Sequence, residues 1–368
     1  MFKTLLYLTI VFQLLSCESD SISVKTMELI KNYEFHSGFF TGNAQVESFN
    51  NKEYICFGDY KTNKKIAFHT FNDTLVQYVS LKKIIEEGES IMGFEIINSD
   101  SIYILTYYSN KVFLINNVGE VKSRFDYNSL QSINNKYGLM RSRTPFLFND
   151  STFIFLLSAK YDKSYKNFKE FVIESYKKPN LIRVVNFKKD SIKTKLGLFG
   201  LYNSFPNYKE VFLNGNNYKF INKKIFFMSQ YSDSLFIIDP FSLTIEKKVK
   251  ISSKYSVIKI EPLTIQEYDK GENVDYTSNG RMSDIFYDKK QNIYYVFAVH
   301  KKQENTWPWS IIVLDSNLKT IDEIKMDETK YSFSGMMTSK GLLISNYYET
   351  LNDKDHFKKN TYSLFRYE

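Results

Sequence analysis

Ser101-Ile102-Tyr103-Ile104-Leu105 is followed by Lys111-Val112-Phe113-Leu114-Ile115, the polar turn Asn116-Asn117-Val118-Gly119, and Glu120-Val121-Lys122-Ser123-Arg124-Phe125. Short β-branched and aromatic runs parted by Asn/Gly turn chemistry read as strands joined by a hairpin. The turn Asn98-Ser99-Asp100 introduces the first run. The same phrase recurs from about residue 44 onward, which marks a repeat architecture. Its strongly apolar second strand returns as Tyr54-Ile55-Cys56-Phe57, Thr152-Phe153-Ile154-Phe155-Leu156-Leu157, Ile225-Phe226-Phe227-Met228, Ile293-Tyr294-Tyr295-Val296-Phe297 and Leu342-Leu343-Ile344. Its third returns as Ile66-Ala67-Phe68, Leu181-Ile182-Arg183-Val184-Val185, Leu235-Phe236-Ile237-Ile238, Ile311-Ile312-Val313-Leu314 and Tyr362-Ser363-Leu364-Phe365.

All but the last of these third strands lead through a turn into a fourth. Six units of four antiparallel strands predict an all-β fold, a six-bladed β-propeller over residues 21–368. The outer strand that the last blade lacks is expected from Ile22-Ser23-Val24-Lys25-Thr26-Met27, which would close the ring. A pair of β-sandwiches is the rival architecture, but sandwiches do not require six equivalent units. Composition agrees with a packed β fold: 43% of the residues are hydrophobic and 17% aromatic, ample for a core, and disorder is excluded. Only 14 Gly and 6 Pro rule out collagen-like and Pro-rich chains.

The amino terminus sets the expected compartment. Lys3 precedes the apolar run Thr4-Leu5-Leu6-Tyr7-Leu8-Thr9-Ile10-Val11-Phe12, a signal-peptide plan too short to span a bilayer core of about 30 Å. Leu14-Leu15-Ser16-Cys17 resembles a bacterial lipobox, so residues 1–16 are expected to be removed and Cys17 to carry the lipid, with 17–20 as a short tether. An ordinary secretory signal with an incidental cysteine is the plainer alternative. The implied location is the cell envelope, as an outer-membrane lipoprotein facing either the periplasm or the outside. Cys56, the only other cysteine, sits in an apolar strand and is expected to be a buried, inert thiol.

Strand alternation puts the first-to-second and third-to-fourth turns of each unit at one end and the other connections at the opposite end. The long connections, 80–90, 127–143, 160–180, 197–216, 252–279, 300–309 and 347–360, all belong to the second class. One-sided decoration of a repeat fold often marks its binding face. Within it, Tyr165, Phe168, Val172 and Tyr176 have helical spacing, so a short amphipathic helix is expected over 162–176. Arginine is scarce, six against 43 lysines, which singles out Arg141 and Arg143 in one long connection and Arg281 at the entrance to the fifth unit. Guanidinium forks suit carboxylates, phosphates and sugar hydroxyls. Trp307-Pro308-Trp309 places both tryptophans in another connection, a stiff pair able to stack on a sugar or anchor a partner. For each of these the plain alternative is structural: an ordinary salt bridge, or packing against neighbouring loops.

The histidines His36, His69, His300 and His356 lie far apart and form no metal-ligand spacing, so no metal and no cofactor is expected. No Ser-His-Asp, phosphate-loop, dinucleotide, EF-hand or zinc-framework signature is present. The formal charge is +8, but the lysine pairs that carry it are spread over the repeats and broken by acids, which speaks against nucleic acid as a partner.

Ser101 to Leu105 with Lys111 to Val121, Ser232-Asp233-Ser234-Leu235-Phe236-Ile237-Ile238-Asp239, and Ile285-Phe286-Tyr287-Asp288 with Ile293-Tyr294-Tyr295 and Ser310-Ile311-Ile312-Val313-Leu314-Asp315 together resemble the Bacteroidetes lipoproteins of domain of unknown function family 4221. These are similar to other TolB-like six-bladed propeller lipoproteins. The resemblance implies fold and compartment; the family offers no catalytic residue to carry over. The sequence is therefore read as a lipid-anchored envelope propeller that acts as a ligand-binding or protein-interaction module for a glycan, a peptide or an envelope protein. The alternative is a glycan- or peptide-processing hydrolase or lyase with its site in the central funnel.

Overall fold

A computed structural model describes residues 26–36, 44–59, 64–89, 91–98, 100–106, 111–126, 137–139, 146–149, 152–159, 181–186, 191–196, 216–229, 232–242, 244–259, 270, 278–346 and 360–368. The described chain opens with β1 (Met27–Phe35). A four-stranded antiparallel meander follows: β2 (Ala44–Phe49), β3 (Lys52–Asp59), β4 (Lys65–His69) and β5 (Leu75–Ser80). The short helix α1 (Lys82–Glu86) leads into a second, β6 (Ile91–Asn98), β7 (Ser101–Thr106), β8 (Lys111–Ile115) and β9 (Val121–Asp126). Next come β10 (Tyr137–Leu139), β11 (Phe146–Asn149), β12 (Thr152–Ala159), β13 (Leu181–Asn186) and β14 (Ser191–Leu196). Two further meanders are β15 (Asn216–Ile221) to β18 (Ile245–Lys250), through β16 (Lys224–Ser229) and β17 (Ser234–Ile238), and β19 (Arg281–Asp288) to β22 (Thr320–Lys325), through β20 (Ile293–Val299) and β21 (Trp309–Leu314). The last sheet has the order β1-β25-β24-β23, built from β23 (Tyr331–Thr338), β24 (Gly341–Asn346), β25 (Asn360–Tyr367) and the strand from the other end of the chain.

The architecture is an all-β propeller of four-stranded antiparallel blades. The expected regularity holds in five sheets; the segment 137–196 departs from it. There the inner place is split between β10 and β11, which pair with different parts of β12, so the sheet has five strands. The strand on β25 also differs from expectation. It is Met27–Phe35; of the expected segment 22–27, Met27 lies opposite Tyr367, and Thr26 exchanges backbone hydrogen bonds with Glu368 at 2.8 and 2.9 Å. Residues 21–25 and the helix expected over 162–176 lie outside the described residues.

Turn chemistry explains why the hairpins close where they do. After β8, β17 and β21 the next residue is Asn116, Asp239 or Asp315, and each side-chain oxygen accepts backbone N–H groups further round its turn. After β4 the same place is held by Thr70, whose hydroxyl accepts from Thr74. Gly119 ends one such turn with φ +88°, and a Cβ there would lie 1.9 Å from the Ser80 carbonyl oxygen of the preceding sheet, so only glycine fits. The two-residue turns Asn50-Asn51 and Asn222-Lys223 have positive φ at both positions, the form that matches strand twist.

The cores lie between sheets, because each strand offers alternate residues to the sheets on either side. Phe68, Ile66 and Cys56 pack on Phe94, Ile104 and Phe113 of the next sheet. Phe57 and Ala67 pack on Phe35, Met336, Leu343 and Leu364 of the last sheet. Phe226, Met228 and Ile237 meet Ile285, Val296 and Ile312, while Phe297, Trp309 and Val313 meet Leu342, Ile344 and Phe365. Cys56 is buried and unpaired, and burial, then the nearby Glu47, pushes its thiol well up. His36, just beyond β1, bonds Asp73 in the β4–β5 turn through both its ring and its backbone N–H. Asp73 also meets the ring of the buried His69, 3.1 Å away.

Candidate functional site

The end of the sheet β19–β22 at which residues 300–309 connect β20 to β21 holds Arg281, His300 and Trp307. Register sets Arg281 opposite Val299 and Val299 opposite Trp309, so Gly280, His300 and Pro308 form the rim just beyond the strands. The rim is tied by His300 N–H donating to the Pro308 carbonyl at 2.8 Å. Arg281 lays its guanidinium carbon 5.0 Å from the centre of the Trp307 ring, and Lys302 Nζ approaches the same ring at 5.8 Å. This is the geometry of a cation over an aromatic face.

The tryptophan pair is divided between two environments. Trp307 is half-buried and leans on the core shared with the last sheet. Trp309 is wholly buried: its ring meets Phe297 at 5.0 Å and its Nε1–H donates to the Tyr331 carbonyl at 2.9 Å. Trp309 is thus a core residue, and Trp307 is the one at the rim. Arg141, Arg143, Cys17 and His356 lie outside the described residues.

A chain of hydrogen bonds runs behind the rim. Glu323 on β22 is buried, and its carboxylate accepts from Ser310 Oγ and Ser253 Oγ, both at 2.6 Å, and from the Lys254 backbone N–H. The Ser310 hydroxyl hydrogen is committed to Glu323, so its oxygen accepts from His300 Nε2, 2.9 Å away. Nδ1 of His300 is then the acceptor, and it lies 2.8 Å from Ser256 Oγ. Ser253 to Ser256 belong to the strap after β18, which is held between sheets by the buried Ile251 and Ile258. Burial lowers the His300 pKa below the usual histidine range; Glu323 opposes the shift and Lys325 adds to it. Tyr255, half exposed, sets its ring edge against the imidazole at 5.5 Å.

None of this shows as a motif, since the four members come from the strap, two strands and a loop. Two signals were readable: Ser310 is the one hydroxyl in the apolar run 309–314, and Glu323 takes an inward place in an alternating strand.

A second set of polar groups lies on the inner strands. Gln45 Nε2 of β2 donates to the Phe94 carbonyl of β6, and Asn217 of β15 donates to the Ser283 carbonyl of β19. Lys219 pairs with Asp284 at 3.0 Å. Glu47 on β2 and Glu95 on β6 keep partial contact with solvent but sit deep among protein atoms; burial raises both carboxyls well above the usual range, and for Glu47 the charge of Glu95 adds to it. Among the described residues no group of His, Cys, Asp and Glu is placed to hold a metal ion, and no helix is long and apolar enough to cross a membrane.

No protein-family model matches the chain, and no curated protein does. Solved structures do. The chain is similar to a member of the DUF4221 family from Bacteroides vulgatus, with 17% identity, a TM-score of 0.68 and coverage of 94% of this chain and 98% of that one. It is also similar to a candidate exported protein from Bacteroides fragilis, with 10% identity, a TM-score of 0.52 and coverage of 96% and 97%. At these identities the likeness establishes the shared fold.

Proposed function

We propose that this protein is an envelope propeller of the DUF4221 type that binds a small anionic or hydroxyl-rich ligand, a glycan or a peptide carboxylate, at the rim of the β19–β22 sheet. The observation that carries the reading is Arg281 laid on Trp307 where an inner strand opens into the long connections. A guanidinium backed by an indole is held in place to meet a carboxylate or paired hydroxyls, and the ring edge offers a sugar an apolar surface. In the same reading the sheet at 137–196 counts as a blade, giving six, and β1 closes the ring. Residues 1–16 are a signal peptide and Cys17 carries the lipid anchor; a glycan, a peptide or an envelope protein is the partner.

The test is a thermal-shift screen of the full chain in detergent against glycans and short peptides. Saturation at 100 times Kd adds about 2.7 kcal/mol and lifts the midpoint by several degrees. Arg281→Ala combined with Trp307→Ala should abolish the shift while the unliganded protein still unfolds cooperatively. A ligand whose shift survives both substitutions binds elsewhere and removes the rim from the reading. Loss of the chain from the membrane fraction on Cys17→Ala tests the anchor.

A further inference from the structure

We propose that Ser256 is a nucleophile activated by His300, with Ser310 and Glu323 as positioning residues, and that the site accepts carboxylic esters and related acyl electrophiles. The case rests on the direction of the hydrogen bonds. Glu323 accepts from the Ser310 hydroxyl, Ser310 Oγ accepts from the Nε2–H, and His300 is left with the Nδ1 lone pair toward Ser256 Oγ at 2.8 Å. A hydroxyl bonded to a neutral imidazole whose other nitrogen is oriented by a third group is the arrangement that activates serine elsewhere. Burial keeps His300 neutral near pH 7, as a base must be. Ser256 itself is only half-buried and stands on the strap, and Gly280 beside it keeps its flank free of a side chain: a Cβ there would lie 2.8 Å from Ser256 Oγ.

The chemistry balances without a cofactor. Ser256 Oγ bonds to the ester carbonyl carbon as its proton passes to His300 Nδ1; the C–O bond to the leaving group breaks, and that group leaves as an alcohol with the proton from His300. A water then gives its proton to Nδ1 while its oxygen attacks the acyl carbon; the acid departs and Ser256 recovers its proton. Net, ester and water become acid and alcohol. Among the described residues, Glu323 and Lys325 on β22 act on the charge of the imidazole and Tyr255 on the strap sets its ring against it, while Lys254 on the strap and Lys301 and Lys302 after His300 are the charged groups next to these in the chain.

The probe is a biotinylated fluorophosphonate, which loses fluoride to an activated serine and leaves a phosphonyl ester on it. Applied to the purified full chain, it should modify the peptide holding Ser256, and Ser256→Ala should remove the adduct. His300→Gln should slow labelling roughly 10²-fold, the low end of general-base effects. The wild-type rate should be level above pH 7 and fall in acid as His300 takes a proton; Ser310→Ala should move that midpoint, which a merely structural hydroxyl would not do. Should His300→Gln fail to fold, Ser256→Cys supplies the second reading, with alkylation at position 256 by iodoacetamide at pH 6.5 faster than that of an unperturbed thiol. No adduct at Ser256, labelling indifferent to His300→Gln, or ordinary alkylation of Ser256→Cys each overturns the assignment. The ligand screen is separate: it reads Arg281 and Trp307, and these variants leave both in place.

Discussion

Phe35→Ala measures how firmly the amino-terminal strand is built into the fold. Phe35 is the last residue of β1, pairs with Asn360, and is fully buried. Its ring centre lies 5.6 Å from Phe57, 6.1 Å from Tyr362 and 6.2 Å from His69, so it joins β1 to the first meander as well as to β25. Truncating a fully enclosed phenylalanine costs about 3–5 kcal/mol, the transfer term plus the cavity left behind. The neighbours are β-strand residues held by their own ladders, which limits collapse into the space. If β1 then frays locally, hydrogen exchange at its amides should quicken by roughly 10²-fold to several thousandfold, while β20 and β21 stay protected. If the blades unfold together, the same loss should appear in the urea midpoint with an unchanged m-value. Leu29→Ala on the same strand is the control: Leu29 is 48% exposed and should cost within about 0.5 kcal/mol. A Phe35→Ala effect below about 1 kcal/mol by both measures would show that β1 is not docked as described.

Glu95→Gln should stabilise the protein at pH 8. The folded carboxyl titrates above its unfolded value of 4.5, so its ionisation opposes folding at high pH; the gain should shrink as pH falls and vanish near 4.5, read as the difference in melting temperature from wild type. Cys56 should resist iodoacetamide in the native protein and react on unfolding in urea, and Cys56→Ser should cost about 1–3 kcal/mol by burying a hydroxyl in an apolar cluster. Glu323→Ala should leave the buried Ser310 hydroxyl and the Lys254 amide without their acceptor, at about 1–3 kcal/mol each, and raise amide exchange in the 251–258 strap above all.

The repeat is legible in the sequence because hairpin physics is local. Ile102 to Leu105, Asn116 and Gly119 each announce their role within a few residues, through alternation, side-chain-to-backbone bonding and positive φ. The strand on β25 is less legible. Met27–Phe35 holds three charged residues and faces solvent along most of its length, so its pattern lacks the apolar run that identifies an inner strand, and the neighbouring Ile22-Ser23-Val24 reads as the better candidate. What commits Met27–Phe35 to the sheet is a partner more than 300 positions away, together with one buried ring at its end. Non-local pairing of this kind leaves little trace in the segment itself.

The site divides along the same line. Arg281 and Trp307 stand out by rarity, and the structure brings them together; Trp309 stands out equally and turns inward, because strand alternation one residue past Pro308 sends its ring between sheets. The Ser256 chain stands out by nothing, since serine and glutamate are common and its members are spread over 68 positions of sequence. Yet it has the stricter requirements. A cation on an indole tolerates small displacements, whereas the relay needs each proton committed in one direction, which a single substitution at Ser310 or Glu323 would undo. An ester-cleaving serine behind the rim, flanked by Gly280, and a ligand-holding arginine next in the chain to that glycine would make a coherent unit, with Arg281 holding the anionic end of an acyl substrate whose carbonyl meets Ser256. In that case Arg281→Ala should raise KM for esters bearing a carboxylate and leave neutral esters unchanged. Equal loss on both kinds would mean that Arg281 supports the rim itself and not the substrate.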